Sequence, residues 1–310
     1  MAGSPARRLA PRVLAIFGPT ASGKTAVAEA VADRLEGEVV SADSMQAYHG
    51  LPILTAQPER PTRIVGIWPL AHEGSVAEYA QLAHAAIDEL ISTGRTPVVT
   101  GGTGLYLRAA LAELELPPAP TPEQRARWEQ LYARLGPERA YGVLAERDPG
   151  AAARLHPNDR RRIVRALELT ELGSSLRPAA DRLWTSDTRR PTLIFGLDVP
   201  RDVLTERIEQ RARSMFAAGV VDEARAALAA PISSTAVQAL GLRDVAELAR
   251  DDALEALVVR TRRYAAYQRK WMRRIPGLVS VNADRPVDDI AHEIVEMASA
   301  RQRLPAGRVG

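Results

Sequence analysis

The residues best suited to chemistry lie near the amino end of the chain, in a run with the pattern G-x-x-x-x-G-K-T. The run consists of Gly18, Pro19, Thr20, Ala21, Ser22, Gly23, Lys24 and Thr25. Glycines let backbone N–H groups close around phosphate oxygens, and a helix starting here adds positive potential from its amino end. Lys24 should reach the terminal phosphate, and the Thr25 hydroxyl is placed to hold Mg²⁺. The pattern predicts a site for a phosphate-bearing ligand, but it does not identify that ligand.

Asp43 is the second candidate, because it lies at the carboxyl end of a strand predicted at residues 38–42. Ligands bind at that end of the strands in open α/β sheets, which favours a functional role. The carboxylate could bind a metal, as in nucleoside and nucleotide kinases, or act as a general base beside the phosphate. The alternative without function is a loop aspartate that caps local backbone.

A third segment, residues 101–104, has the sequence Gly-Gly-Thr-Gly and follows the apolar residues 97–100. A sharp turn between a strand and a helix needs such glycines. The segment alone therefore does not distinguish a binding loop from a turn.

The elements that position these residues alternate between strand and helix. Apolar residues 13–17 precede the first glycine run, an Ala/Val-rich helical pattern follows it to Leu35, and a predicted capping box, Ser75 with Glu78, starts a later helix. This alternation predicts an α/β fold with a P-loop-type parallel sheet flanked by helices. Further strands are predicted at residues 192–197 and 278–281.

The domain organisation follows from a change of pattern after residue 115. Residues 116–184 begin with a proline-rich connector, show no β pattern and are predicted to form a helical insertion of domain size. The catalytic core is expected at 12–115 and 185–302, with a disordered lead-in at 1–11 and a frayed tail at 303–310.

Composition narrows the classes of protein. The 310 residues include no cysteine, which excludes disulfides, thiolate nucleophiles and cysteine-based zinc sites. No run of about 18 apolar residues is present, so no membrane span is expected, and a cytoplasmic location is favoured. Lysine and arginine number 41 against 38 acidic residues, a small excess that does not by itself demand a nucleic-acid partner.

The basic residues are concentrated in two predicted helices. Four arginines lie within residues 160–165, and residues 260–274 hold seven basic residues and no acidic one. Helical spacing places Tyr264, Tyr267 and Trp271 on one stripe, which is predicted to face the core. The arginines are better explained as a track for a polyanion.

Four ordered segments resemble the tRNA dimethylallyltransferase family, the bacterial isopentenyltransferases that modify the adenosine beside the anticodon. They are residues 18–25, 41–48 (SADSMQAY), 101–106 (GGTGLY) and 156–168, which starts with HPND. The resemblance implies that the glycine loop holds the diphosphate of dimethylallyl diphosphate rather than ATP. It also implies that the insertion grips the anticodon stem of tRNA, and that the enzyme works with Mg²⁺ as a monomer, without an obligate protein partner.

The resemblance also assigns roles by position. Asp43 would be the base at the adenine amine. Lys24 and Arg262 are also assigned as catalytic, and Arg262 matches the arginine of the family's Thr-Arg-x-Tyr-Ala segment. Residues 20–25 would contact the diphosphate, with Thr25 on the metal. The tRNA contacts would come from Asp43, Ser44, Met45, Gln46, Thr103, Arg125, Asp159, Arg160, Arg161, Arg162 and Ile163.

The chain departs from the family pattern at a few positions. The family usually has a lysine at the position of Gln57 and two histidines at the positions of Thr62 and Arg63. It usually has a basic residue at the position of Tyr267 and a tyrosine at the position of Leu242. Two rival functions use the same loop: a P-loop kinase of a nucleoside or small metabolite, and an RNA-binding P-loop protein switched by nucleotide. A small-molecule kinase would not need the helical insertion and the basic helices.

Overall fold

The computed structural model describes residues 13–117, 119–176 and 182–303. The lead-in expected at 1–11 and residues 304–310 of the expected tail lie outside these ranges. The chain divides into two compact units: a core built from the residues up to Glu113 together with those from Trp184 onward, and an insertion, Leu114–Leu183.

The core contains the predicted parallel sheet. Its strands are β1 Val13–Phe17, β2 Glu38–Ser41, β3 Pro97–Gly101, β4 Thr192–Asp198 and β5 Leu278–Asn282. They lie in the order β2-β3-β1-β4-β5, and every pairing is parallel. The connections after β1 and β3 leave in opposite directions, so a topological switch point lies between these strands, where open α/β sheets bind ligands.

Eleven α-helices are described. They are α1 Lys24–Arg34, α2 Val76–Ser92, α3 Gly104–Leu111, α4 Pro122–Arg147, α5 Pro149–Ala152, α6 Arg160–Glu171, α7 Arg201–Ala217, α8 Val220–Ala229, α9 Leu242–Glu247, α10 Arg250–Met272 and α11 Val287–Arg303. Among the residues described, none of these helices is long and apolar enough to cross a membrane.

The sheet is held by burial on both faces. Every residue of β1 is buried, as expected for a central parallel strand. Apolar residues of α1, α11 and the sheet form one continuous cluster that includes Val31, Phe195 and Ile294. This packing fixes the carboxyl ends of β1, β2 and β3, from which the candidate site is built.

The capping box predicted at the start of α2 is half formed. The Ser75 hydroxyl accepts the Glu78 N–H at 3.1 Å, as predicted. The Glu78 carboxylate does not return to Ser75, because it contacts His72 Nε2 at 2.9 Å. A complete capping box occurs instead at α4, between Thr121 and Gln124.

The insertion has a small core of its own. Helices α4 and α6 pack through Trp128, Tyr132, Leu144, Ile163 and Leu167, all of which are buried. Helix α4 bends at Gly136, where φ is +75° and a proline follows, so one long segment covers α6 with two differently directed halves.

Candidate active site

The loop after β1 is tightly closed. A Cβ on Gly18 would lie 2.5 Å from Ser22 Oγ, and Gly23, the residue before α1, has φ +84°, which favours glycine. The Ser22 N–H donates to the Pro19 carbonyl at 3.2 Å. Ala21 also takes a positive φ of 63°, a strained conformation that tends to occur at functional loops.

This loop leaves hydrogen-bonding groups without partners. Ser22 Oγ is buried and has no hydrogen-bond partner among the described residues. Gly23 offers no side chain to cap α1, and the first turn of α1 contains no acidic residue. The first N–H groups of a helix have no intrahelical acceptor, so they remain available for an anion. The loop therefore fits a phosphate or diphosphate group.

Two cations lie beside the loop. Desolvation lowers the pKa of Lys24 to about 8; attraction by Asp43 opposes this shift, and repulsion by Arg211 adds to it. Arg211, on α7, donates to Thr20 Oγ1 at 3.4 Å. Burial also lowers the pKa of Arg211, against the attraction of Asp43. A negatively charged ligand would relieve the repulsion between the two cations.

Asp43 lies at the carboxyl end of β2 and is half-buried. Its Oδ1 accepts the Met45 N–H at 3.0 Å, so one oxygen does cap the local backbone. The other oxygen accepts no hydrogen bond from the described residues. The carboxylate also acts on Tyr79 and Tyr264, whose pKa values are raised first by burial and further by this charge.

The loop after Asp43 is braced by two glutamines. Gln46 Oε1 accepts the Ser41 hydroxyl at 2.9 Å, while its Nε2 donates to the Thr55 and Ala56 carbonyls. Gln57 Nε2 donates to the Tyr48 carbonyl at 2.6 Å and to the Gln46 carbonyl at 3.2 Å. Both carboxamides thus support the backbone of the loop, and Gln57 supplies no phosphate-side charge.

Two of the glycines at 101–104, Gly102 and Gly104, are explained by close packing against α10, whereas Gly101 lies against the Ala42 backbone. A Cβ on Gly102 would lie 2.1 Å from Gln268 Nε2, and one on Gly104 would lie 2.0 Å from the ring of Trp271. Neither glycine has a positive φ, so the turn alone does not demand them. They allow α10 to approach the site.

Helix α10 connects the two glycine-containing loops. Gln268 is 1% exposed, and its Oε1 accepts the Thr20 N–H at 2.7 Å. One turn earlier, the Tyr264 hydroxyl lies 3.0 Å from Thr103 Oγ1. Sequence reasoning missed Gln268 and Arg211 as site residues. For Gln268 the only signal was a polar residue at helical spacing from the aromatic stripe.

The prediction that the aromatic stripe of α10 faces the core is wrong for Tyr267. Tyr267 is 51% exposed, while Tyr264 and Trp271 are partly buried. The positions of α10 that are fully buried are Ala253, Leu257, Ala265 and Gln268. The buried face is therefore rotated away from Tyr267, because the helix packs on the glycine loops through small and polar residues.

The structure places Arg262 outside the Lys24–Asp43 group. Its guanidinium pairs with Glu209 on α7, and it makes no ion pair with Asp43. Two other arginines of α10 are likewise paired, Arg260 with Asp244 and Arg269 with Asp198. Three of the seven basic residues of this run are therefore neutralised within the core.

The insertion residues with predicted tRNA contacts have varied surroundings. Arg125 Nε lies 3.5 Å from the carboxylate of the buried Glu168. Asp159 caps α6 and lies 3.6 Å from Arg162 Nε, while Arg160 lies over the ring of Tyr132. Arg161 is exposed. Ile163 is 0% exposed, so its side chain supports α6 from inside.

Comparison with known proteins shows which family the chain resembles. Residues 46–275 match the family model described as IPP transferase, and residues 11–63 match the model described as isopentenyl transferase. A tRNA dimethylallyltransferase of Streptomyces avermitilis is 43% identical over 86% of this chain and 89% of its own length. One from Corynebacterium jeikeium is 39% identical over 89% of this chain and 93% of its own length.

Solved structures show the same fold. The tRNA isopentenylpyrophosphate transferase of Bacillus halodurans superposes with a TM-score of 0.68 at 31% identity, covering 94% of this chain and 96% of that one. A eukaryotic dimethylallyltransferase described as acting on tRNA gives a TM-score of 0.75 at 24% identity, covering 96% of this chain and 81% of that one. With most of its length matched by both comparisons, the chain belongs to the IPP transferase family, whose curated members named here are tRNA dimethylallyltransferases.

Proposed function

We propose that this protein transfers the dimethylallyl group of dimethylallyl diphosphate to the exocyclic amine of the adenosine next to the anticodon of tRNA, releasing diphosphate. The observation that carries the proposal is the pair of desolvated cations, Lys24 and Arg211, beside a carboxylate, Asp43, that keeps one oxygen without a hydrogen bond from the described residues. The two cations suit a polyanionic leaving group, and the carboxylate suits a nucleophile that must lose a proton.

The donor would bind with its diphosphate in the loop formed by residues 18–25. As the allylic C–O bond breaks, negative charge grows on the diphosphate. Lys24, Arg211 and the first-turn N–H groups of α1 would then bind it more strongly than in the ground state, and this difference lowers the barrier. The Ser22 hydroxyl, buried without a partner, is a further donor for the same oxygens.

The fit to Mg²⁺ rests on oxygen chemistry. Mg²⁺ is bound in proteins by few side chains together with substrate phosphates and water. The half-buried Thr25 hydroxyl, in the first turn of α1, is the protein oxygen we assign to it. Bound Mg²⁺ would neutralise charge on the diphosphate. The described residues contain no group of three or more His, Asp or Glu side chains that could hold a metal ion.

The acceptor would be activated by Asp43. An adenine amine is a weak nucleophile because its lone pair is delocalised into the ring. A carboxylate that takes the amine proton as the C–N bond forms contributes typically 10²–10⁴-fold. The base must leave its stack to reach Asp43, at a cost of a few kcal/mol that is smaller in a loop than in a duplex. Ser44, Met45, Gln46 and Thr103 would surround its path.

The RNA itself would be held by basic residues of the insertion and of α10. Arg160 and Arg161, exposed at the start of α6, are the contacts we propose for the anticodon stem, with Arg125, Asp159, Arg162 and the backbone of Ile163 supporting that surface. Arg262 would contribute to catalysis from the core, where it forms an ion pair with Glu209. We propose that the enzyme works as a monomer in the cytoplasm, where its tRNA substrate is found.

The experiment that tests this function is mass spectrometry of nucleosides from unmodified tRNA after incubation with the protein, dimethylallyl diphosphate and Mg²⁺. A prenylated adenosine that is absent without the donor is the expected product. A parallel incubation replaces the donor by ATP; if ATP is consumed there while no modified adenosine forms with the donor, a P-loop kinase or a nucleotide-switched RNA-binding protein replaces the proposal.

A further inference from the structure

One face of α10 combines unpaired cations with an exposed aromatic ring. We call it the α10 stripe and define it as Arg263, Tyr267, Lys270 and Arg274. Their spacing of four, three and four residues places them on one side of a helix, and all four are exposed. Arg274 lies just beyond the last helical residue, Met272, and its N–H bonds to the Trp271 carbonyl at 2.8 Å.

The cations of the stripe differ from the other arginines of the same helix. Arg260, Arg262 and Arg269 each pair with a carboxylate of the core. Within the described ranges, Arg263, Lys270 and Arg274 make no ion pair with any carboxylate. At about 100° per residue, the neutralised Arg262 and Arg269 lie on one side of the helix and the three free charges on another, a distribution that suits a polyanion.

The aromatic part of the stripe is supported from behind. The Tyr267 ring makes an edge contact with Trp271 at 6.3 Å between centroids, and Trp271 packs on Trp184 at 4.7 Å. The Arg274 guanidinium lies 3.6 Å from the centroid of Trp184. Tyr267 nevertheless remains 51% exposed, so part of its ring surface is open to a planar ligand.

The stripe borders the candidate active site along the helix. Tyr264 is one turn before Tyr267 and contacts Thr103, while Gln268 is the next residue and holds the Thr20 N–H. One helical turn rises about 5.4 Å, so the open ring lies within the reach of a nucleotide or two from these contacts.

We propose that the α10 stripe holds an unpaired nucleotide that flanks the target adenosine in the RNA, with Tyr267 stacking on its base and Arg263 and Lys270 contacting its phosphates. The inference rests on the proposed function. When the target base leaves the stack, its neighbour loses a stacking partner. An aromatic side chain replaces that partner without reading sequence, and basic residues beside it track the backbone.

The test uses a fluorescently labelled anticodon stem-loop and the full-length chain. Tyr267→Ala should weaken its binding by about 5- to 150-fold, the range measured for loss of one stacked base. Tyr267→Phe keeps the ring and should bind within about twofold of wild type. Val259→Ala, an exposed apolar position on the same helix, is the matched control and should change nothing.

Two further readouts separate stacking from charge and from folding. Lys270→Ala should reduce the slope of log affinity against log salt by about 0.7–1, whereas Tyr267→Ala should leave the slope unchanged. Replacing the flanking nucleotide by an abasic one should abolish the difference between wild type and Tyr267→Ala. A melting temperature unchanged by Tyr267→Ala would confirm an intact fold.

Binding by Tyr267→Ala within twofold of wild type would overturn the proposal. A loss that persists with abasic RNA at every loop position would overturn it as well. Prenylation by the wild-type protein is measured on the same preparation. If the wild-type protein prenylates tRNA and Tyr267→Ala binds as tightly as wild type, only the proposal for the α10 stripe is overturned. If the wild-type protein does not prenylate tRNA, the proposed function itself is overturned.

Discussion

The charged groups of the candidate active site, in the core, and those of the insertion have opposite surroundings. In the core, Ser22 Oγ is buried without a hydrogen-bond partner among the described residues, and Lys24 and Arg211 are both desolvated beside Asp43. In the insertion, the buried Glu168 lies between Arg125 and Arg165. The core holds charges in a costly arrangement that a ligand would relieve, whereas the insertion uses its charges to stabilise itself.

This difference shows why counting basic residues overstates how many are available to RNA. The four arginines of α6 look alike in sequence, but Arg162 and Arg165 are paired with carboxylates of the insertion, whereas Arg160 lies over the Tyr132 ring and stays exposed. Arg161 is exposed and makes no ion pair with any described residue. Buried polar groups without partners therefore indicate a functional site more directly than the number of charged residues does.

The largest expected effect tests the core side of the comparison. Asp43→Asn keeps an oxygen for the Met45 N–H but removes the base, so kcat for prenyl transfer should fall by about 10²–10⁴-fold. Stem-loop binding and the melting temperature should change little. Asp33→Asn, an exposed acid of α1 paired with Arg60, is the control. Transfer at the wild-type rate would remove the base assignment.

The next effect tests the insertion side. Glu168→Ala leaves Arg125 and Arg165 without their buried partner and should destabilise the insertion by about 2–3 kcal/mol. Hydrogen exchange should show loss of protection in α6 and none in the sheet. Glu146→Ala, at an exposed position of α4, is the comparison. Equal protection in both variants would show that Glu168 is not a structural group.

A smaller effect concerns pH. The Lys24 amine, with its pKa near 8, is charged below that pH and neutral above it. The attraction that Lys24 exerts on the diphosphate is therefore present below pH 8 and is lost above it. The dissociation constant of dimethylallyl diphosphate should rise by up to about tenfold per pH unit above 8. Lys24→Ala should bind weakly at every pH; an unchanged pH profile in this variant would assign the titration to another group.

The smallest effect concerns the exposed surface of α6. Arg161→Ala should change the free energy of unfolding by less than about 0.5 kcal/mol, because the residue has no charged partner among those described. It should nevertheless lower the slope of log RNA affinity against log salt by about 0.7–1. Arg213→Ala, at an exposed position of α7, serves as the control for a general loss of positive charge. Equal slopes for both variants would argue against a specific contact at Arg161.

The parts of the site that sequence predicted are those encoded locally. The loop after β1, Asp43 after β2 and the glycines after β3 follow from strand-to-helix patterns of a few residues, and the sheet places them together. Gln268 and Arg211 were missed because tertiary packing brings them to Thr20 from positions 248 and 191 residues away in the chain. Helical spacing from the aromatic stripe is a weak local sign of Gln268, and no local pattern marks Arg211.

The error at Tyr267 has a physical cause. Helical spacing groups Tyr264, Tyr267 and Trp271, but it does not say which of two neighbouring faces is buried. Hydrophobicity favoured the aromatic face, whereas the glycine loops accept Ala265 and Gln268, which are small or hydrogen-bonded there. Tyr267 is therefore exposed at a position where helical spacing predicted a core residue.

The central claim is that a loop typical of triphosphate-binding proteins here holds the leaving group of a five-carbon donor. The direct measurement is to offer the purified chain unmodified tRNA with dimethylallyl diphosphate labelled in its carbon chain and, in parallel, ATP labelled in its terminal phosphate. We expect the carbon label to enter RNA and the phosphate label to stay in ATP. Rapid release or transfer of the labelled phosphate, with no carbon label in RNA, would contradict it.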